Sequence, residues 1–463
     1  MDERGETMTI VQELAKFIQQ TQFKDLSEEA KKQTKIRILD SLGTAIGAVE
    51  GEPVRYIRRY IDEFQRNGAN TLIGGGKTSP DFAALYNSAL VRYLDFNDSY
   101  LAKGETCHPS DNLGAVLAAG EYNNISGEEL MLALAVAYQV QARLSDEAPV
   151  RDKGFDHTTQ GAYAVAAGVA KALHLDVERT ANAIAISGTP LNALRVTRTG
   201  ALSHWKGLAY PYTAFGATTS TFLAKQGITG PKEVFEGNKG FQESIAGKFE
   251  IDWENENLER ITQTIIKKYN AEIHSQATLE GAIELKQQNG FNPADIESID
   301  IETFDVAYNI IGGGEEGDKT IVRRKEEADH SLQYMTAVAL LDGNVLPPQY
   351  RQERIIRDDV QTLLQKISVQ PRDDYSDRFP GEMPCHITIQ LNNGESHAIE
   401  KKDYEGFHTR PMSWTTIIEK FESLVKPYVE ESVRHQIIET VQAMENHSVS
   451  ELMDLLSQVE IPE

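Results

Sequence analysis

The sequence predicts a mainly α protein, a large all-α helical domain with a smaller α+β domain inserted in it. Three observations carry that prediction. From Thr9 to Gly227, apolar residues recur at helical spacing in one segment after another. Around Ile299 and again around Cys385 the apolar period shortens to two, which marks strands. Past Glu405 the helical spacing returns. The simplest chain path gives residues 1–267 and 405–463 to the helical domain and residues 268–404 to the insertion.

The elements follow in order. "TIVQELAKFIQQTQ" spaces Ile10, Leu14, Phe17 and Ile18 on one helical face. The helix of "LSEEAKKQTKIRILDSLGTAIGAV" starts at an N-cap, Ser27, with Glu28 and Glu29 in its first turn, where the helix dipole favours acids. "SGEELMLALAVAYQVQARL" opens with a capping box, Ser126 to Glu129, and is apolar nearly all round, so it is expected to be buried on most sides. "TTQGAYAVAAGVAKALHL" and "VERTANAIAISG" are rich in alanine, which permits close helix approach. "YTAFGATTSTFLAKQG" ends at Gly227, a C′ glycine. "IESIDIETFDVAYN" reads as a strand, and "CHITIQLNNGESHAIEKKD" as a hairpin turning on the two residues Asn393-Gly394. "ADHSLQYMTAVALLDG" and "RDDVQTLLQKI" lie between them as helices, and three more helices close the chain: "SWTTIIEKFESLVKP", "VEESVRHQIIETVQAM" and "SVSELMDLL".

Bulk properties restrict the function. A formal charge of −24 over 463 residues argues against nucleic acid and anionic membranes as partners, because phosphate binding needs a basic face. A small anionic ligand remains compatible with a locally positive pocket. No apolar run approaches the roughly 20 residues of a membrane span. The opening "MDERGETMTIVQEL" has neither the basic nor the apolar region of a signal peptide, so the expected compartment is the cytoplasm. Two cysteines, Cys107 and Cys385, cannot supply a four-thiolate zinc site or an iron–sulfur cluster, and no metal or other cofactor is expected.

Two glycine-rich stretches are set aside. "LIGGGKTSPDF" lacks the first glycine of a phosphate-binding loop, Thr71 standing at that position, and reads as a turn. "IIGGGEEGD" has acidic neighbours and reads as a flexible surface loop.

The chemistry lies with the histidines. Six of the eleven sit at segment junctions: His108, His157, His204, His274, His330 and His408. Element ends are where clefts form, although a helix-capping histidine is the commoner case. "SHWKG" adds a cation, Lys206, and His274 stands at the start of an apolar helix whose amides suit a carboxylate. Asp95 and Asp98 are placed to orient a histidine. Several histidines, a lysine and a supporting aspartate fit proton abstraction beside a carboxylate or carbonyl. Cys107 beside His108 is a poor nucleophilic dyad, since chain neighbours rarely point their side chains together.

Five segments then resemble the MmgE/PrpD family in order: "RYLDFNDSYL…HPSDNLGAVLAAGEY", "GFDHTTQGAYAVAAG", "SHWKGLAYPYTAFGA", "AEIHSQATLEGAIEL" and "ADHSLQYMTAVALLDG". That resemblance implies a large helical domain carrying a smaller α+β lid, assembled as a homodimer. It implies a di- or tricarboxylate substrate and a catalytic set of Asp95, His108, His157, Lys206 and His274, with Ser99 and, from the lid, Tyr334 binding substrate. The interval "LDFNDSYLAKGETCHPSDNLG" resembles the 2-methylcitrate dehydratases of the family, with Gly104 and Cys107 as departures. The implied reaction is metal-free dehydration: His108 or His274 takes the proton alpha to a carboxylate, Lys206 and His157 hold the carboxylates, and the other histidine or Lys103 protonates the leaving hydroxyl. Decarboxylation of cis-aconitate or epimerisation of a related polycarboxylate would use the same carbanion. A non-catalytic polycarboxylate-binding helical protein would bind without turnover.

Overall fold

The computed structural model describes residues 7–64, 68–199 and 202–462. The acidic opening, residues 1–6, on which the absence of a signal peptide was partly read, lies outside them. The chain forms two compact units, Met1–Thr264 with Ser413–Glu463, and Ile265–Met412. The protein is mainly α. Among the described residues, no helix is long and apolar enough to cross a membrane.

The first unit is helical: α1 (Ile10–Gln20), α2 (Glu28–Ile46), α3 (Glu52–Glu63), α4 (Pro80–Tyr93), α5 (Leu113–Asn123), α6 (Gly127–Glu147), α7 (Thr158–Ala172), α8 (Val177–Gly188) and α9 (Trp205–Lys225), joined by helices Trp414–Val425, Glu431–Gln442 and Val449–Leu456 from the C-terminal stretch. Local signals set several starts. Ser27 Oγ accepts the Ala30 N–H at 3.0 Å, and Ser126 and Glu129 exchange the bonds of a capping box. The alanine-rich α7 packs on α6, α8 and α9, and α4 packs on α5 and α9. The α4–α5 contact needs Gly114, since a Cβ there would lie 2.4 Å from the Ser88 nitrogen.

One helix is longer than its periodicity predicts. α9 starts at Trp205, seven residues before Tyr212, and runs through Pro211. Tertiary packing outweighs the single backbone hydrogen bond that proline removes. This extension brings Lys206 into the first turn of a helix.

The second unit carries a four-stranded sheet in the order Ile367–Pro371, Ile296–Thr303, Cys385–Leu391, Ser396–Lys401. The first pair is parallel and the other two are antiparallel. Ile296, Ile299 and Ile301 face inward, and helix Gln276–Asn289 packs on strands Cys385–Leu391 and Ser396–Lys401. The hairpin differs from the two-residue expectation. Leu391 N–H donates to Glu395 O and Gly394 N–H to Leu391 O, so the connection is Asn392-Asn393-Gly394, with only Gly394 at positive φ, +88°. A two-residue turn would need Asn393 at positive φ as well, and the strand register does not ask for it. The stretch Ile310–Gly312, expected in a surface loop, is buried at the end of a π turn, because its two isoleucines are drawn into the core. The Leu72–Phe82 stretch turns at Ile73–Gly76, as expected, with Gly74, Gly75 and Gly76 all at positive φ, and then enters the short strand Lys77–Thr78 and the start of α4.

Candidate active site

Six segments of the first unit deliver ionisable side chains to one buried cluster. They are the end of α4 (Arg92, Asp95), the irregular chain after it (Asn97 to Ser99), the 3-10 turn leading into α5 (His108 to Asn112), the start of α7 (Asp156, His157), the 3-10 turn Arg195–Arg198 and the start of α9 (Lys206). Asp95 is bent out of α4 at φ +53°, a left-handed conformation that aspartate adopts more readily than most residues.

His108 follows the short hairpin Tyr100–Ala102/Glu105–Cys107 and caps the 3-10 turn Pro109–Asn112. Its Nδ1 lies 2.8 Å from the Asp98 carbonyl oxygen and 3.0 Å from Ser99 Oγ. A carbonyl oxygen only accepts, so Nδ1 carries the proton, and in the neutral ring the lone pair is on Nε2. The ring meets His157 edge to face, with centroids 5.4 Å apart.

His157 is fully buried at the N-terminus of α7. Burial, reinforced by Arg198, Arg92 and Arg195, pushes its imidazolium down to about 3 against the pull of Asp156, so the ring is neutral near pH 7. Nδ1 faces Asp156 Oδ1 at 3.2 Å, while Nε2 is buried with no hydrogen-bond partner among the described residues. Burial would raise the Asp156 carboxyl, but Arg198, whose Nε donates at 2.7 Å, holds it well below the usual range.

Around these rings stand four cations, Arg92, Arg195, Arg198 and Lys206, and four carboxylates, Asp95, Asp98, Asp111 and Asp156. Arg92 donates to Asp95 at 2.7 Å and lies 3.7 Å from Asp111. Lys206 Nζ is 3.8 Å from Asp95. Burial raises the Asp111 carboxyl to about 7 in spite of Arg92 and Arg198, so it is part-protonated near neutrality. The cluster therefore gathers four cations inside an acidic chain, which suits a polycarboxylate.

The second unit holds its own imidazole. His274 precedes helix Gln276–Asn289, is 3% exposed, and points Nδ1 at Glu272 Oε1, 2.8 Å away. The carboxylate fixes the proton on Nδ1, and Nε2 is again buried without a hydrogen-bond partner among the described residues. The ring lies against Phe304 and Phe379. Burial opposes ionisation of Glu272, but His274, His330 and Lys267 bring it down to about 2. Lys267 is itself buried, 1% exposed.

The structure thus joins Asp95, Ser99, His108, His157 and Lys206 in the first unit and places His274 in a buried site of the second. Two other expected residues are placed as follows. Lys103 occupies the exposed tip of the hairpin, where Ala102 pairs with Glu105. Tyr334 is in the core of the second unit, and its hydroxyl donates to the Gln349 carbonyl, so it is engaged within that unit. Of the six junction histidines, His204 is half-exposed and faces Glu52, His408 lies on Phe407, and His330 pairs with Asp329 at 2.6 Å. The carboxylates at the Nδ1 atoms of His157 and His274 are Asp156 and Glu272; Asp95 is held by Arg92. Cys107 accepts from Ser145 Oγ, and burial raises its thiol well above the usual range, so it offers no thiolate. Arg92, Arg195, Arg198, Asp156, Glu272 and Lys267 were not singled out from sequence. For Asp156 and Glu272, the signal was a carboxylate one or two positions before a junction histidine.

The N-terminal domain model of the MmgE/PrpD family matches residues 12–254, and the C-terminal domain model matches residues 269–446. A cis-aconitate decarboxylase of Mus musculus is 25% identical, across 95% of this chain and 91% of the relative. A 2-methylcitrate dehydratase of Salmonella typhi is 28% identical, across 83% of each chain. A probable 2-methylcitrate dehydratase of Saccharomyces cerevisiae is 26% identical, across 85% of this chain and 80% of the relative.

Proposed function

Because the chain belongs to the MmgE/PrpD family, we propose that it is a carbon–oxygen lyase that dehydrates 2-methylcitrate, with citrate as a second substrate, to the corresponding cis-aconitate. The observation that carries this reading is the tautomer of His108. With Nδ1 donating to the Asp98 carbonyl, Nε2 is the basic atom of a ring set among cationic side chains. Nε2 takes the proton alpha to a carboxylate. Arg198, Arg195, Arg92 and Lys206 supply the positive field that stabilises the electron pair as it moves onto that carboxylate, and the carbon–oxygen bond then breaks as the proton now on His108 passes to the hydroxyl, which departs as water. The neutral His157 ring offers Nε2 as a hydrogen-bond acceptor for a substrate hydroxyl. His274, with the same Nδ1–carboxylate arrangement, is a second basic nitrogen in the second unit.

We propose that this chemistry needs no metal, since two cysteines do not supply the thiolates of an iron–sulfur cluster. The chain is proposed to work as a cytoplasmic homodimer with no nucleic-acid partner, in keeping with its acidic charge.

Decarboxylation of cis-aconitate is the second reading, favoured by the length of the match to the Mus musculus relative, 95% of this chain. Assaying the purified protein with 2-methylcitrate, citrate, cis-aconitate and iminodisuccinate separates the readings. Dehydration yields an ultraviolet-absorbing unsaturated acid, and decarboxylation releases carbon dioxide. Carbon dioxide from cis-aconitate with no dehydration of 2-methylcitrate would replace the first reading by the second. Binding without turnover of any of the four would leave only a binding protein.

A further inference from the structure

We propose that Asp98 is the positioning residue of His108: its main-chain carbonyl fixes which imidazole nitrogen carries the proton, and its carboxylate, anchored by Tyr138, holds that carbonyl in place. The inference deepens the reading of His108 as the base and rests on it.

Asp98 lies in irregular chain between α4 and the strand Tyr100–Ala102, where no ladder of backbone hydrogen bonds aims its carbonyl. Its side chain does so instead. The carboxylate accepts from the Tyr138 hydroxyl at 2.7 Å and from the Ser110 N–H at 3.0 Å. Ser110 is two residues past His108, so Asp98 grips that histidine twice, by the ring through its carbonyl and by the following backbone through its carboxylate. Tyr138 comes from the middle of α6, a helix buried on nearly every side and therefore a fixed support. Asn97 closes the frame, donating to Ser110 Oγ at 2.9 Å and to Asp111 Oδ1 at 2.8 Å.

The chemistry argues that this arrangement exists for direction. Asp98 and Tyr138 are both fully buried, and burial raises the Asp98 carboxyl, with Arg37 on α2 opposing. A buried carboxylate is costly to remove from water, and an apolar side chain of similar size would fill the same space. What the carboxylate provides and a leucine does not is a fixed angle, delivered through two short hydrogen bonds to the carbonyl that selects the tautomer.

The test reads the tautomer without substrate. Long-range 1H–15N spectra distinguish Nδ1-protonated from Nε2-protonated imidazole, and the His108 signal is identified by its loss in His108→Gln. Tyr138→Phe removes one hydroxyl at nearly constant volume. Asp98→Asn keeps an acceptor for the Ser110 N–H, and Asp98→Ala removes it. In Tyr138→Phe the His108 signal is expected to shift from the Nδ1–H form toward a mixture, and kcat for 2-methylcitrate to fall about 10-fold with KM changed less than about twofold. Asp98→Asn is expected to retain more of both properties than Asp98→Ala. An unchanged Nδ1–H signal in Tyr138→Phe overturns the proposal, whatever happens to stability. A shifted tautomer with unchanged turnover upholds the positioning role and removes His108 as the base, so the two readings fail separately.

Discussion

The Nδ1 atom of His108 lies 2.8 Å from the carbonyl oxygen of Asp98. That contact makes Nε2 the basic atom and gives the first expected outcome. His108→Gln, which has no basic nitrogen, should lower kcat for 2-methylcitrate by about 10²–10⁴-fold, the usual contribution of a general base. KM should move far less. Steady-state kinetics on the purified variant checks both, and near-normal kcat would remove His108 from the chemistry.

His157 predicts an acid-side loss of stability. Its imidazolium falls from 6.5 to about 3 on folding, chiefly through burial. Between those values the unfolded chain binds a proton that the folded chain does not, so the stability present above pH 6.5 is lost as pH falls toward about 3. Each pH unit in that window costs about 1.4 kcal/mol. In urea denaturation at pH 4.5 and 6.5, His157→Gln should show a shallower pH dependence than the wild type by about that slope. Parallel curves would mean that His157 is protonated in the folded protein.

How much of this was legible follows from where each signal resides. The Ser126–Glu129 box and the Ser27 cap were readable because capping satisfies backbone groups within a single turn. The hairpin at Gly394 was placed correctly and its length misread, because loop length was settled by the pairing of Leu391 with Glu395. His108, His157 and His274 could be named as junction histidines, but so could His204 and His408, and only burial separates them. Arg92 and Lys267 left no mark at all. A buried cation in a short motif looks like a solvated one until distant segments close over it.

Asp111 predicts a pH dependence of opposite sign. Burial raises its carboxyl to about 7 from 3.8, so across that window the folded chain binds the extra proton and stability falls as pH rises. Asp111→Asn mimics the protonated form and should be more stable than the wild type at pH 7.5, with the gap narrowing by about 1 kcal/mol per pH unit on acidification. Thermal melts from pH 5 to 8 measure it. A gap that stays constant from pH 5 to 8 would show that Arg92 and Arg198 keep Asp111 ionised throughout.

Gly161 predicts a packing effect that reaches the cluster. One turn past His157 on α7, a Cβ at this position would lie 2.5 Å from the Tyr210 ring. That ring is fully buried, stacks beside His157 with centroids 6.2 Å apart, and its hydroxyl faces Asn112 and Gln141. It has no space to retreat into, so Gly161→Ala should cost about 1–3 kcal/mol by overpacking, despite the better helix propensity of alanine. Gly207, in the first turn of α9, supplies the control, since a Cβ there meets nothing within 4 Å. Gly207→Ala should gain up to about 1 kcal/mol from propensity alone. Denaturant midpoints of the two variants should therefore move in opposite directions. Equal shifts would show that helix propensity, and not the Tyr210 contact, governs position 161.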